Sequence, residues 1–165
     1  MASSGRIVVL GVGNLVMSDE GLGVRCIERL QLAGVLPPDV AIIDGGTSTS
    51  ELLGELESLD LLVIVDAVAG GGPPASLVRL EADRIPAAFS NKLSPHQHGI
   101  NDLLATLQFL GRAPGRVVVL GMVPARIALG LELSAEVEAA LPALAAQVVA
   151  EVTGRTGMGA DEAPP

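Results

Sequence analysis

The chain has 165 residues, 49% hydrophobic and 18% charged, which excludes a disordered chain and suits one domain with a real core. Its 10 Lys and Arg stand against 19 Asp and Glu, a net charge of −9. A phosphate backbone is therefore repelled, and a cationic or metal-bearing partner fits better than a nucleic acid. Phe89 and Phe109 are the only aromatic residues, so the core is aliphatic and stacking platforms for bases are lacking.

Met1–Arg6 has no apolar run of the signal-peptide kind. Cys26 is the single cysteine, so no disulfide can close within the chain. The longest aliphatic stretches are cut by Asp66, Pro124, Glu138 and Pro142, and none reads as a membrane span. The expectation is a cytoplasmic protein with no membrane partner.

In chain order, apolar runs alternate with helix-period segments. The first strand is expected at about 6–11, followed by a glycine-rich loop, Gly11 to Gly23, that carries Asn14, Asp19 and Glu20. A helix at about 20–33 has Gly23, Cys26, Ile27 and Leu30 on one face, marking its core side. A strand at 39–44, a helix at 48–58 and a strand at 61–66 follow. The link from Ala67 to Ala75 contains Gly70–Pro74 and no helix, too short for a parallel crossover, so the strand at 76–81 should be antiparallel at an edge. Residues 91–99 read as a loop before a helix at 99–110, and a strand at 116–122 precedes a helix at 134–152. Ser134 is the expected N-cap of that last helix, and Pro142 should kink or split it. The pattern predicts a single three-layer α/β/α domain over 1–153, with a twisted, mostly parallel five-stranded sheet and one antiparallel edge strand. Residues 154–165, rich in Gly, Ala, Asp and Pro, read as a disordered tail.

A strand leading through Gly11-Val-Gly13 into a helix suggests a small nucleotide binder. The dinucleotide fingerprint needs glycine at position 16, where Val16 stands, and two adjacent acids repel a pyrophosphate. The strand ends say more. Glu20 follows the first strand, Asp44 ends the second and Asp66 ends the third, and ligands of open α/β sheets bind beyond the carboxyl ends of the strands. His96, in the loop before the third long helix, adds a nitrogen. Two carboxylates and one imidazole suit a first-row metal with open positions. Each residue also has an ordinary structural reading. Asp44 can order its own loop or cap a helix, Asp19 reads as a loop-ordering residue, Cys26 as core, and His98 as a neighbour of His96. Ser94 lacks the glycine elbow of a serine nucleophile.

Several motifs then match one family in order: Leu10-Gly-Val-Gly-Asn-Leu15, Asp19-Glu-Gly-Leu-Gly-Val24, Asp44-Gly-Gly-Thr47, Val65-Asp-Ala67 and Ser94-Pro-His-Gln-His-Gly99. Over roughly residues 6–152 the chain resembles the maturation endopeptidases of nickel–iron hydrogenases. The resemblance implies removal of the C-terminal extension of the nickel-loaded hydrogenase large-subunit precursor; separately, a monomer is expected. The nickel would be supplied by the precursor, with Glu20, Asp66 and His96 as metal ligands. Glu20 or Asp66 would be the catalytic carboxylate of an aspartic-type peptidase, with a Lewis-acid role for the metal equally open. The alternative is a non-catalytic nickel-binding maturation chaperone that uses the same rim.

Overall fold

The structure, a computed structural model, describes residues 5–81 and 95–154, with the backbone alone at residues 50 and 95–98. The expected tail from residue 155 onward lies outside the described residues. Five strands, β1 (Ile7–Val12), β2 (Val40–Gly46), β3 (Leu61–Ala67), β4 (Leu77–Glu81) and β5 (Arg116–Met122), form one sheet in the order β2-β1-β3-β5-β4. The first three and β5 run parallel, and β4 lies antiparallel to β5 at the edge, as its short glycine–proline link requires.

β3 is buried at every position, the signature of a central parallel strand covered on both faces. Alternation then divides the core. Val9, Val63, Val65, Val118 and Leu120 meet α1 (Leu22–Ala33) and the last helix, α4 (Ala135–Val152). On the opposite face Val8, Leu10, Leu62, Ile64 and Val119 meet α2 (Leu53–Leu56) and α3 (Pro95–Phe109). Each such aliphatic side chain contributes about 1.5–3 kcal/mol on burial. The stripe predicted for α1 is the buried one, with Cys26 and Ile27 among its residues. Gly34, at φ 61°, ends that helix by donating its N–H to Leu30 and Gln31.

Three expectations need correction. The helix foreseen at 48–58 shrinks to a 3-10 turn, Ser50–Leu52, and the single turn of α2, with Ser58 at positive φ and the chain already extended at Glu57. α3 begins at Pro95 rather than at 99, because proline suits a first helical turn where its missing N–H costs nothing. His96 therefore lies in the first turn of a helix and not in a loop. Pro142 does not split α4, which stays continuous. Pro142 and Glu138, whose carbonyl it leaves without a helical donor, both lie on the exposed side, where water can serve that carbonyl.

The edge strand is fastened to α4 by charge. Arg79 meets both oxygens of Glu151, at 3.0 and 2.8 Å, and also reaches Glu81, which accepts from Arg116. The Glu151 side chain is 1% exposed and Arg79 38%. Replacing Arg79 by Ala removes the fork on a buried carboxylate. The expected loss is about 2–3 kcal/mol in urea unfolding, below the value for a fully buried pair because Arg79 is partly solvated. A change below about 0.5 kcal/mol would show the fork to be dispensable. The hydrogen bond from Arg116, ahead of that from Arg79, holds Glu81 below its ordinary value of 4.5. Its stabilisation is thus present above about pH 4.5 and lost as pH falls through the lower folded value. Glu81→Gln should flatten the acid limb of stability against pH, and an unchanged limb would refute that share.

Burial pushes the Cys26 thiol up to about 12, so it stays protonated and inert in the native state. A thiol reagent at pH 8 should label it only as fast as the protein unfolds. Rapid labelling in native buffer would mean that α1 separates from the sheet.

Candidate active site

The carboxyl ends of β1 and β3 are adjacent, because the two strands pair in parallel. The loop after β1 crosses this end as a 3-10 turn, Ser18–Gly21, before α1 starts. Glycine makes the crossing possible. A Cβ on Gly23 would lie 2.1 Å from the Val65 carbonyl oxygen and 2.5 Å from that of Val12, so α1 can begin directly over both strand ends only without a side chain there. Gly13, at φ 142°, likewise sits where a Cβ would meet the Glu20 carbonyl oxygen at 2.1 Å.

This packing carries Glu20, 5% exposed, over the end of β1. Asp66, fully buried, stands one residue from the end of β3 beside Val65, the strand residue that Gly23 touches. Its Oδ1 accepts the Ala67 N–H at 2.8 Å. By alternation with Ile64 it belongs to the face covered by α3. The first turn of α3, with His96, reaches the same end of the molecule. A Cβ on Gly99 would be 3.0 Å from Thr49 Oγ1 in the loop after β2. The elements that carry Glu20, Asp66 and His96 therefore lie at the same, carboxyl end of the sheet. The side chains of His96 and His98 lie outside the described residues.

The other acids have structural work. Asp19, completely buried, accepts from the backbone N–H groups of Ala125, Arg126 and Ser134 and from the Ser134 hydroxyl, at 2.7–2.9 Å. It orders the loop, as its sequence context suggests. Asp44 is exposed and turns its Oδ1 back to the Gly46 N–H at 2.9 Å. Among the described residues no three His, Cys, Asp or Glu side chains gather closely enough to hold an ion. Glu20 and Asp66 are oxygen donors of the kind a first-row divalent ion accepts, and a complete set needs a further ligand from His96 or from a substrate.

The comparisons with known proteins bear on this geometry. The family model for hydrogenase maturation proteases matches residues 24–151, well over half of the chain. The hydrogenase 2 maturation protease of Escherichia coli (strain K12) is 40% identical over 146 residues, covering 88% of this chain and 89% of that protein. The chain belongs to the hydrogenase maturation protease family. HupD of Rhodobacter capsulatus, a hydrogenase expression/formation protein, is 42% identical over 123 residues, and the aligned part spans 59% of its length. Among solved structures, the maturating endopeptidase HYBD from E. coli superposes with a TM-score of 0.84 at 39% identity, over 90% of this chain and 93% of that one. The [NiFe] hydrogenase maturation protease HybD of Thermococcus kodakarensis gives 0.71 at 27% identity, over 87% and 96% of the two chains. The family match includes Asp66 and His96 and begins four residues after Glu20.

Sequence reasoning passed over one residue of this maturation protease rim. Thr49, 2% exposed, occupies the N-cap position of the turn at Ser50 yet makes no capping bond, and its hydroxyl has no hydrogen-bond partner among the described residues. Its only signal was a place in Thr47-Ser-Thr-Ser50, directly after the Asp44-Gly-Gly motif. A buried hydroxyl without a partner costs about 1–3 kcal/mol. Thr49→Val should therefore leave the free protein equally stable or raise its stability by about 1 kcal/mol in urea unfolding. A loss of comparable size would show that the hydroxyl is satisfied.

Proposed function

We propose that this chain is an endopeptidase that removes the C-terminal extension of the nickel-loaded large-subunit precursor of a nickel–iron hydrogenase. What supports the reading is that Glu20, Asp66 and the turn bearing His96 belong to elements at the carboxyl end of the sheet, in a chain of this family. Nickel is here part of the substrate. Glu20, Asp66 and His96 would complete its coordination, and that contact would align one peptide bond of the precursor, which raises rate through proximity.

Hydrolysis then needs a water on the carbonyl carbon, a group to take its proton, and the same proton returned to the departing amine. Glu20 or Asp66 serves as that base in an aspartic-type scheme, while metal polarisation of the carbonyl serves the same end by another route. The free and buried Cys26 suits a reducing compartment, and we take the site of action to be the cytoplasm, with the enzyme acting as a monomer.

Purified enzyme mixed with nickel-loaded precursor should shorten the large subunit by one C-terminal peptide, read by mass, and leave nickel-free precursor intact. Equal cleavage of both forms would remove nickel recognition. Binding without cleavage would favour the non-catalytic chaperone instead. His96→Ala should slow processing by about 100-fold or more while the protein stays folded. Normal processing by that variant would take His96 out of the site.

A further inference from the structure

The loop between β5 and α4 spends its backbone hydrogen bonds in an unusual way. Asp19 holds Ala125, Arg126 and Ser134, and its own N–H donates to the Arg126 carbonyl at 3.2 Å. Gly130 pairs with the loop after β1 in both directions, donating to Val16 at 2.9 Å and accepting from Ser18 at 2.8 Å. Ser18 Oγ donates to the Glu132 carbonyl at 2.7 Å, and Arg25 of α1 donates to the Leu131 carbonyl at 3.1 Å. The segment is a shelf fixed along its length.

Three of its apolar side chains nevertheless point away from the core, while Leu133 packs against it. Leu129 is 82% exposed, Leu131 66% and Ile127 37%, and Val16, from the paired loop, 48%. A connection that only joined a strand to a helix would be polar and mobile. A contiguous apolar patch on a fixed support marks a surface made to be covered. Val16 stands four residues before Glu20 on the loop after β1, and the pairing of Met17 with Gly130 sets it beside the shelf.

We propose that Val16, Ile127, Leu129 and Leu131 form the docking ridge for an extended, aliphatic stretch of the precursor next to the bond that is cut. The proposal rests on the function argued above. The loop shared by Val16 and Glu20 sets the occupant: a chain whose scissile bond lies at Glu20 and Asp66 must pass over a neighbouring surface, and this one is apolar and already ordered. The prior ordering matters, because a fixed ridge loses little entropy when it is covered. The net charge of −9 argues against an acidic partner on this face.

The test uses Leu129→Ser, Leu131→Ser and the double variant, with Phe109→Ser as control. Phe109 is 90% exposed at the far end of α3 and lies outside the ridge. Cleavage of nickel-loaded precursor is followed against precursor concentration. The double variant should raise KM about tenfold with kcat and melting temperature unchanged, and Phe109→Ser should change none of them. An unchanged KM in the double variant, or a lower kcat at constant KM, would overturn the ridge. So would a wild-type dimer in sedimentation that the double variant abolishes while precursor kinetics hold, since the patch would then serve a second copy of this chain. Should the wild type cleave nothing, the proposed activity fails, and calorimetric binding of the same precursor decides the ridge. Binding lost only in the Leu variants upholds it, and equal or absent binding overturns it.

Discussion

The carboxylate of Asp19 is the constraint on which the site end of the molecule depends. A buried carboxylate is tolerable only when its oxygens are satisfied, and four donors do so here. Three of its partner residues lie more than a hundred positions along the chain, so one side chain joins the loop after β1 to the loop after β5. It also joins them to the start of α4. Ser134 donates its hydroxyl to Asp19 and accepts the Val137 N–H as the helix N-cap. Beside it Ser18 sits at φ 55°, a conformation uncommon for serine, and its N–H and hydroxyl donate to the Gly130 and Glu132 carbonyls. Glu20 is the next residue but one after that strained serine, so its place over β1 is set by contacts made elsewhere in the fold.

Sheet order supplies the rest of the arrangement. Because β1 sits between β2 and β3, the chain leaves β1 for one face and reaches β3 on the other side of it, opening a crevice at that point. Glycine at positions 13 and 23 lets the β1 loop and α1 close down on this crevice until backbone touches backbone. The acids thus arrive from two directions, Glu20 from above the strand and Asp66 from within the sheet. The loop after β2 closes the third side, where Thr49 faces the first turn of α3.

The strands and the core faces were legible in the sequence because their signals are local and strong. Leu61–Val65 is an unbroken aliphatic run, and Gly23, Cys26, Ile27 and Leu30 share one helical stripe. The antiparallel edge strand followed from the length of a link. The misreadings concern boundaries decided by tertiary context. Residues 48–58 carry a fair helical pattern, but only Ser50–Leu56 are helical, the first three as the 3-10 turn that follows Thr49. Pro142 brings no N–H to the helix, yet α4 is not split there, because an exposed helix face makes that loss tolerable. For the candidate site, the acids could be placed at strand ends by counting residues. The Asp19 clamp and the shelf it supports were invisible, because nothing local ties residue 19 to residues 125, 126 and 134.

The burial of both rim acids has a consequence for selectivity. Glu20 and Asp66 lose their hydration when the protein folds, before any substrate arrives. A cation brought by the substrate would then be attracted in a medium of low effective dielectric, with no further desolvation of these two groups to oppose it. A neutral peptide in the same place would offer them nothing equivalent. The discrimination between a loaded and an empty precursor would therefore lie in differential binding at the rim, and the fold would have met its cost in advance through the Asp19 clamp and the glycine contacts. The accuracy of the proposed step would then depend less on the identity of the base than on how rigidly the two carboxylates are held. For Asp66 the hold comes from its place in β3, and for Glu20 from the loops after β1 and β5, which the sequence alone does not connect.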